Sequence, residues 1–103
     1  MIQHCVFLSL HSPLQMRPVE EAMELLSGLV DEIDGMVELS WGPNMDYEGK
    51  SPDYHFGFVA VFEDRDAHLA YEEHPVHVRA GSMLIAACKG GYEGIFVADL
   101  ETE

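Results

Sequence analysis

The order strand, helix, strand, strand, helical region, strand predicts an α+β domain of the ferredoxin-like type (βαββαβ), a four-stranded antiparallel sheet with helices on one face. Three observations carry this. Four segments alternate with the period of two that strands require, two regions repeat apolar residues at helical spacing, and Ser12-Pro13, Gly35, Gly42-Pro43 and Gly90-Gly91 punctuate the chain between them. A length of 103 residues suits one domain, 1–103.

Residues 2–10 are rich in strand formers, with Ile2, His4, Val6, Leu8 and Leu10 on one face and Gln3, Cys5, Phe7 and Ser9 on the other. From about Pro18 to Asp34, apolar Val19, Ala22, Met23, Leu26, Leu29, Val30 and Ile33 predict a helix; Pro18 suits a first helical position and Gly35 a stop. Met36 to Trp41 reads as a second strand, and Gly42 to Asp53 as a mobile loop without periodicity. Tyr54 to Phe62 is the clearest strand, with Tyr54, Phe56, Phe58, Ala60 and Phe62 on one face. Asp64 caps a short helix to about Glu73. Pro75 cannot continue that helix but can start another, about 75–88, which Gly90-Gly91 stops. Tyr92 to Leu100 is the last strand.

Three of these strands are apolar on both faces. Val59 with Val61, Ile95 with Val97, and Cys5 with Phe7 need covering, and the helices reach only one face of the sheet. A second copy of the chain is the expected cover, in an isologous homodimer packed sheet against sheet.

Composition narrows the partners. Five Lys plus Arg against nineteen Asp plus Glu leave a formal charge of -14. So few cations make no footprint for nucleic acid and give no attraction to an anionic membrane. No stretch reads as a signal peptide or a spanning helix. Cys5 and Cys88 read as buried free thiols in a reducing cytoplasm, and no Cys/His spacing marks a structural zinc site. No cofactor fingerprint is present.

Three stretches carry a resemblance. They are Ile2-Gln3-His4-Cys5-Val6-Phe7-Leu8, then Gly49 to Tyr54 leading into Phe58-Val59-Ala60-Val61-Phe62-Glu63, and Tyr71-Glu72-Glu73-His74-Pro75-Val76-His77. Together with Ile95 to Asp99, they resemble the stress-responsive A/B barrel domain (Dabb) family over nearly the whole chain. The resemblance implies a dimeric α+β barrel and little about chemistry. One branch, the plant olivetolic acid cyclase type, closes a polyketide ring without a cofactor. That branch uses a Tyr and a His matching Tyr71 and His77, and a strand His matching His4. Two of its other pocket positions are Phe56 and near Leu25 here, which implies a more apolar pocket. Some members hold a divalent ion near the dimer contact, but the spacing of His74 and His77 alone is a poor metal signal.

The candidate site follows. Tyr71 and His77 are the candidate catalytic pair, with His4, Trp41, Phe56 and His74 as candidate ligand-binding residues around one cavity between sheet and helices. A His near a helix start is held neutral by the positive end of the helix dipole and suits a general base. Each residue also has a plainer reading: His77 and His4 as packed histidines, His74-Pro75 as a helix junction, and Trp41 and Phe56 as core. Three functions stay open. The first is a small enzyme moving protons on a carbonyl compound, the second a stress-associated protein that binds a small apolar ligand without turnover, and the third a cofactor-independent monooxygenase of related fold.

Overall fold

The computed structural model describes residues 1–103. Its elements are β1 (Ile2–Leu8), α1 (Arg17–Ser27), β2 (Met36–Pro43), β3 (Phe56–Phe62), α2 (Arg65–Glu73), α3 (Pro75–Ala87) and β4 (Ile95–Glu101). Short 3-10 turns follow α1 at Gly28–Asp31 and precede β4 at Gly91–Gly94. The helix expected from 18 to 34 therefore tightens at Gly28, and the strand expected from Tyr92 begins at Ile95.

The sheet order is β2-β3-β1-β4, every pair antiparallel. Period two then sorts the faces. His4, Val6 and Leu8 share the helix side with Ala60, Phe58 and Phe56 across one ladder and with Asp99, Val97 and Ile95 across the other. The core between sheet and helices includes Leu8, Phe62, Met23, Leu26 and Tyr71, all fully buried. Removing a side chain such as Leu26 to Ala from such a core costs about 2–5 kcal/mol.

One assignment is corrected. Ile95 and Val97 lie on the helix side, because they pair with Leu8 and Val6. The open face instead carries Phe96, Ala98 and Leu100 beside Phe7, Cys5 and Gln3. Phe96 is 49% and Leu100 57% exposed. Phe7 stacks on Phe96 with ring centres 6.2 Å apart, and Tyr54 adds a third ring at 6.0 Å from Phe96. Gly57, opposite Phe7, makes the stack possible: a Cβ there would stand 2.8 Å from Cδ1 of Phe7.

The mobile loop expected from Gly42 to Asp53 starts later, because β2 runs on to Pro43, and the connection from Asn44 to Tyr54 is braced by its own side chains. The Asp46 carboxylate accepts from the Lys50 and Ser51 amides, and Asn44 Nδ2 donates to the Tyr54 carbonyl and to Ser51 Oγ. Asx contacts of this kind replace the hydrogen bonds a strand would supply. No helix is long and apolar enough to cross a membrane, and both cysteines are free thiols.

Candidate functional site

Helix α2 starts on Asp64, whose carboxylate accepts the Ala67 amide at 2.9 Å, a regular N-cap. It ends at His74, where extended backbone turns the chain directly into α3. This junction places Tyr71, from the last turn of α2, beside His77, from the first turn of α3, with ring centres 4.5 Å apart. His4 reaches the same cluster from β1, 5.9 Å from the Tyr71 ring. Phe62 forms the wall, 5.0 Å from Tyr71.

Hydrogen bonds set the protonation of each group. A carbonyl can only accept, so the 3.1 Å contact with Glu72 O puts a proton on His77 Nδ1 and leaves its Nε2 lone pair as a base. The Asp99 carboxylate, 2.6 Å from His4 Nδ1, does the same for His4. Burial holds the His77 pKa below the ordinary histidine value, more strongly than the Glu72 carbonyl raises it. Burial pushes the Tyr71 phenol well above its ordinary value, so it is a neutral donor. The Tyr71 hydroxyl is nonetheless buried without a hydrogen-bond partner. Such groups are scarce, because each costs about 1–3 kcal/mol.

The other expected site residues separate from this cluster. His74 caps α3, its Nδ1 accepting the Val76 amide at 3.0 Å, and its Nε2 meets Glu32 Oε2 at 3.1 Å. Its ring is thereby committed to the helix junction. Phe56 pairs with Leu8 whereas His4 pairs with Ala60, four residues along β1. At strand rise that is about 13 Å. Trp41 lies at the Phe56 end, and the two line a pocket of about 520 Å3 with Met16, Pro43, His55 and Glu20. The single cavity expected from the sequence is thus two places. Tyr71 is fully buried, and a separate polar pocket of about 280 Å3 is lined by Arg65, His68, Glu72 and Asp99 among others.

Sequence reasoning missed His68 and Asp99. His68 is buried in the same cluster, its ring 4.7 Å from His4 and 5.0 Å from Phe62. Its signal was its position three residues before Tyr71, on the same helix face. Arg65 donates to His68 Nδ1 at 2.8 Å, so neutral His68 carries its proton on Nε2. Burial, then the neighbouring His4, lowers its pKa. The signal for Asp99 was a carboxylate in the same alternating row as Ile95 and Val97.

A sequence profile of the stress responsive A/B barrel domain matches residues 2–102. The chain belongs to the stress-responsive A/B barrel domain family. A curated member, stress-response A/B barrel domain-containing protein HS1 of Arabidopsis thaliana, is 24% identical over 98 residues, 95% of this chain and 86% of that protein. Among solved structures of this family's fold, a dimeric ferredoxin-like protein of unknown function from Jannaschia sp. CCS1 superposes with a TM-score of 0.92. It is 44% identical, and the match covers 98% of each chain. The hydroxynitrile lyase of Passiflora edulis has the same fold at 17% identity and a TM-score of 0.77, over 99% of this chain and 93% of that one.

Proposed function

We propose that this family member works as a homodimer and binds a small, mostly apolar ligand with one or two oxygens beside Tyr71, with His77 and Tyr71 exchanging a proton with a ligand oxygen. The reading is carried by the Tyr71 hydroxyl, buried without a partner on a ring whose centre is 4.5 Å from that of His77. A ligand carbonyl or phenol oxygen would complete it. Neutral His77, with Nδ1 bound to Glu72 O, is the general base, and Tyr71 is the proton donor. His4 flanks the pair, and Phe62 offers an apolar wall. Because Tyr71 is fully covered, a ligand reaches it only when the side chains around it move apart. The dimer rests on the apolar open face of the sheet and on the dimeric relative from Jannaschia. The same full burial of Tyr71 against Phe62 favours a second reading, a binding protein without turnover.

Alkyl phenols and aryl ketones are the probes. Histidine ring signals followed by NMR should shift at His77 and His4 on binding, and His77→Ala should weaken binding or abolish turnover while leaving the dimer intact. If His77→Ala changes neither binding nor turnover, His77 is scaffold and the proton-transfer reading falls. If it alters binding in a protein that turns over no probe, the binding-protein reading stands.

A further inference from the structure

We propose that His4, His68 and Asp99 form a binding site for a borderline divalent cation of the Zn2+ or Co2+ kind, with Glu72 as fourth donor. The three side chains come from β1, α2 and β4, and their donor atoms lie within 4.8 Å of one another. His4 Nδ1 is 2.6 Å from Asp99 Oδ1, and His68 Nε2 is 4.0 Å from the same oxygen and 3.3 Å from Glu72 Oε1. Ligands at zinc bond length on a tetrahedron stand about 3.3–3.4 Å apart. The observed separations straddle that value, so small side-chain rotations suffice. A second, independent feature points into the same space. The His68 side chain is 3% exposed, and its Nε2 has no hydrogen-bond partner despite the nearby carboxylates. A buried imidazole nitrogen aimed at two carboxylates without a satisfied bond is the arrangement a cation would complete.

Donor type sets the metal class. Two imidazoles select Zn2+, Co2+ or Ni2+ over Mg2+ or Ca2+, which prefer oxygen alone. The pocket of about 280 Å3 that His68, Glu72 and Asp99 line is the way in, and a chain of charge -14 draws cations toward it.

Binding needs two proton movements. His4 ligates through Nδ1, so the proton there is replaced by one on Nε2 and the ring stays neutral. The proton on His68 Nε2 is replaced by one on Nδ1, so Arg65, which now donates to Nδ1, must turn away. Arg65 is about half exposed and free to do so. Arg65 therefore opposes the ion both as a competing donor and as a positive charge. The site uses neither Tyr71 nor His77 as a ligand, but it shares His4, which flanks that pair.

Titration of the full chain with Co2+, followed by visible absorption, and with Zn2+, by calorimetry, tests this. One ion per chain should bind, with the intense bands of four-coordinate Co2+. His68→Ala and Asp99→Asn should each weaken binding at least about tenfold. Arg65→Ala should tighten it, and exposed His11→Ala should change nothing. His68 is buried and its variant could misfold; Asp99 is half exposed, so Asp99→Asn carries the test alone if needed. Absence of saturable uptake overturns the site. Uptake that survives Asp99→Asn undiminished also overturns it, as diffuse binding to the acidic surface.

Discussion

Asp99 stands directly opposite His4 on the β1–β4 ladder and accepts its Nδ1 proton at 2.6 Å, although 95 residues separate them in sequence. The pair fixes which nitrogen of His4 carries the proton and turns the other toward the cluster. Asp99 is 45% exposed in its side chain, so solvent screens much of the attraction. Asp99→Asn should cost about 1 kcal/mol in urea unfolding, and 15N NMR should show His4 as a mixture of tautomers. A single retained tautomer would mean that packing, not Asp99, orients the ring.

Tyr71→Phe should leave the protein as stable or raise stability by about 1 kcal/mol, since it deletes a buried hydroxyl that has no partner. The same change should remove binding of oxygen-bearing probes. A loss of stability in denaturant melts would show that the hydroxyl is satisfied in solution by water or by a neighbour.

Burial lowers the pKa of His68 and of His77 from the ordinary 6.5. Between the lowered and ordinary values the unfolded chain binds more protons than the folded one, so stability rises with pH there. The contribution is complete above the ordinary value and is lost as pH falls below it. Around His68, the facing groups are His4, Glu72, Asp99 and Arg65. Urea midpoints compared between about pH 7.5 and 5.5 should fall less in His68→Gln than in the parent chain. Equal falls would place the acid sensitivity elsewhere.

A sheet face bearing Phe7, Phe96 and Leu100 predicts a dimer in solution. Light scattering that returned 11.5 kDa would refute it. Each subunit carries -14, so added salt should strengthen association until the screening length falls to about 8–10 Å. Weakening by salt would indicate attraction between charges and a different interface.

Gly57→Ala should loosen that dimer. Its new Cβ would meet the Phe7 ring at 2.8 Å and the Val6 carbonyl at 3.2 Å, which lifts Phe7 off the sheet. Overpacking of this kind costs about 1–3 kcal/mol. Analytical ultracentrifugation should report a higher dissociation constant. An unchanged constant would place the Phe7–Phe96 stack outside the contact.

Local pattern was enough for the elements and for part of the site. Period two marked the strands, helical spacing marked the face holding Val19, Met23 and Leu26, and Pro75 after His74 placed the α2–α3 junction that brings Tyr71 to His77. These are short-range facts, set by backbone geometry within a turn or two. Pairing is not. Alternation says that Ile95, Val97 and Asp99 share a face, but only the ladder with Leu8, Val6 and His4 says which face the helices cover. A one-residue slip would exchange the two faces. Register also sends Phe56 to the Leu8 end and brings Asp99 to His4, and helix placement then sets His68 above them both. The lone carboxylate in an apolar row and the His one turn before Tyr71 were visible in the chain. Their meeting was decided by long-range strand pairing, which no local propensity encodes.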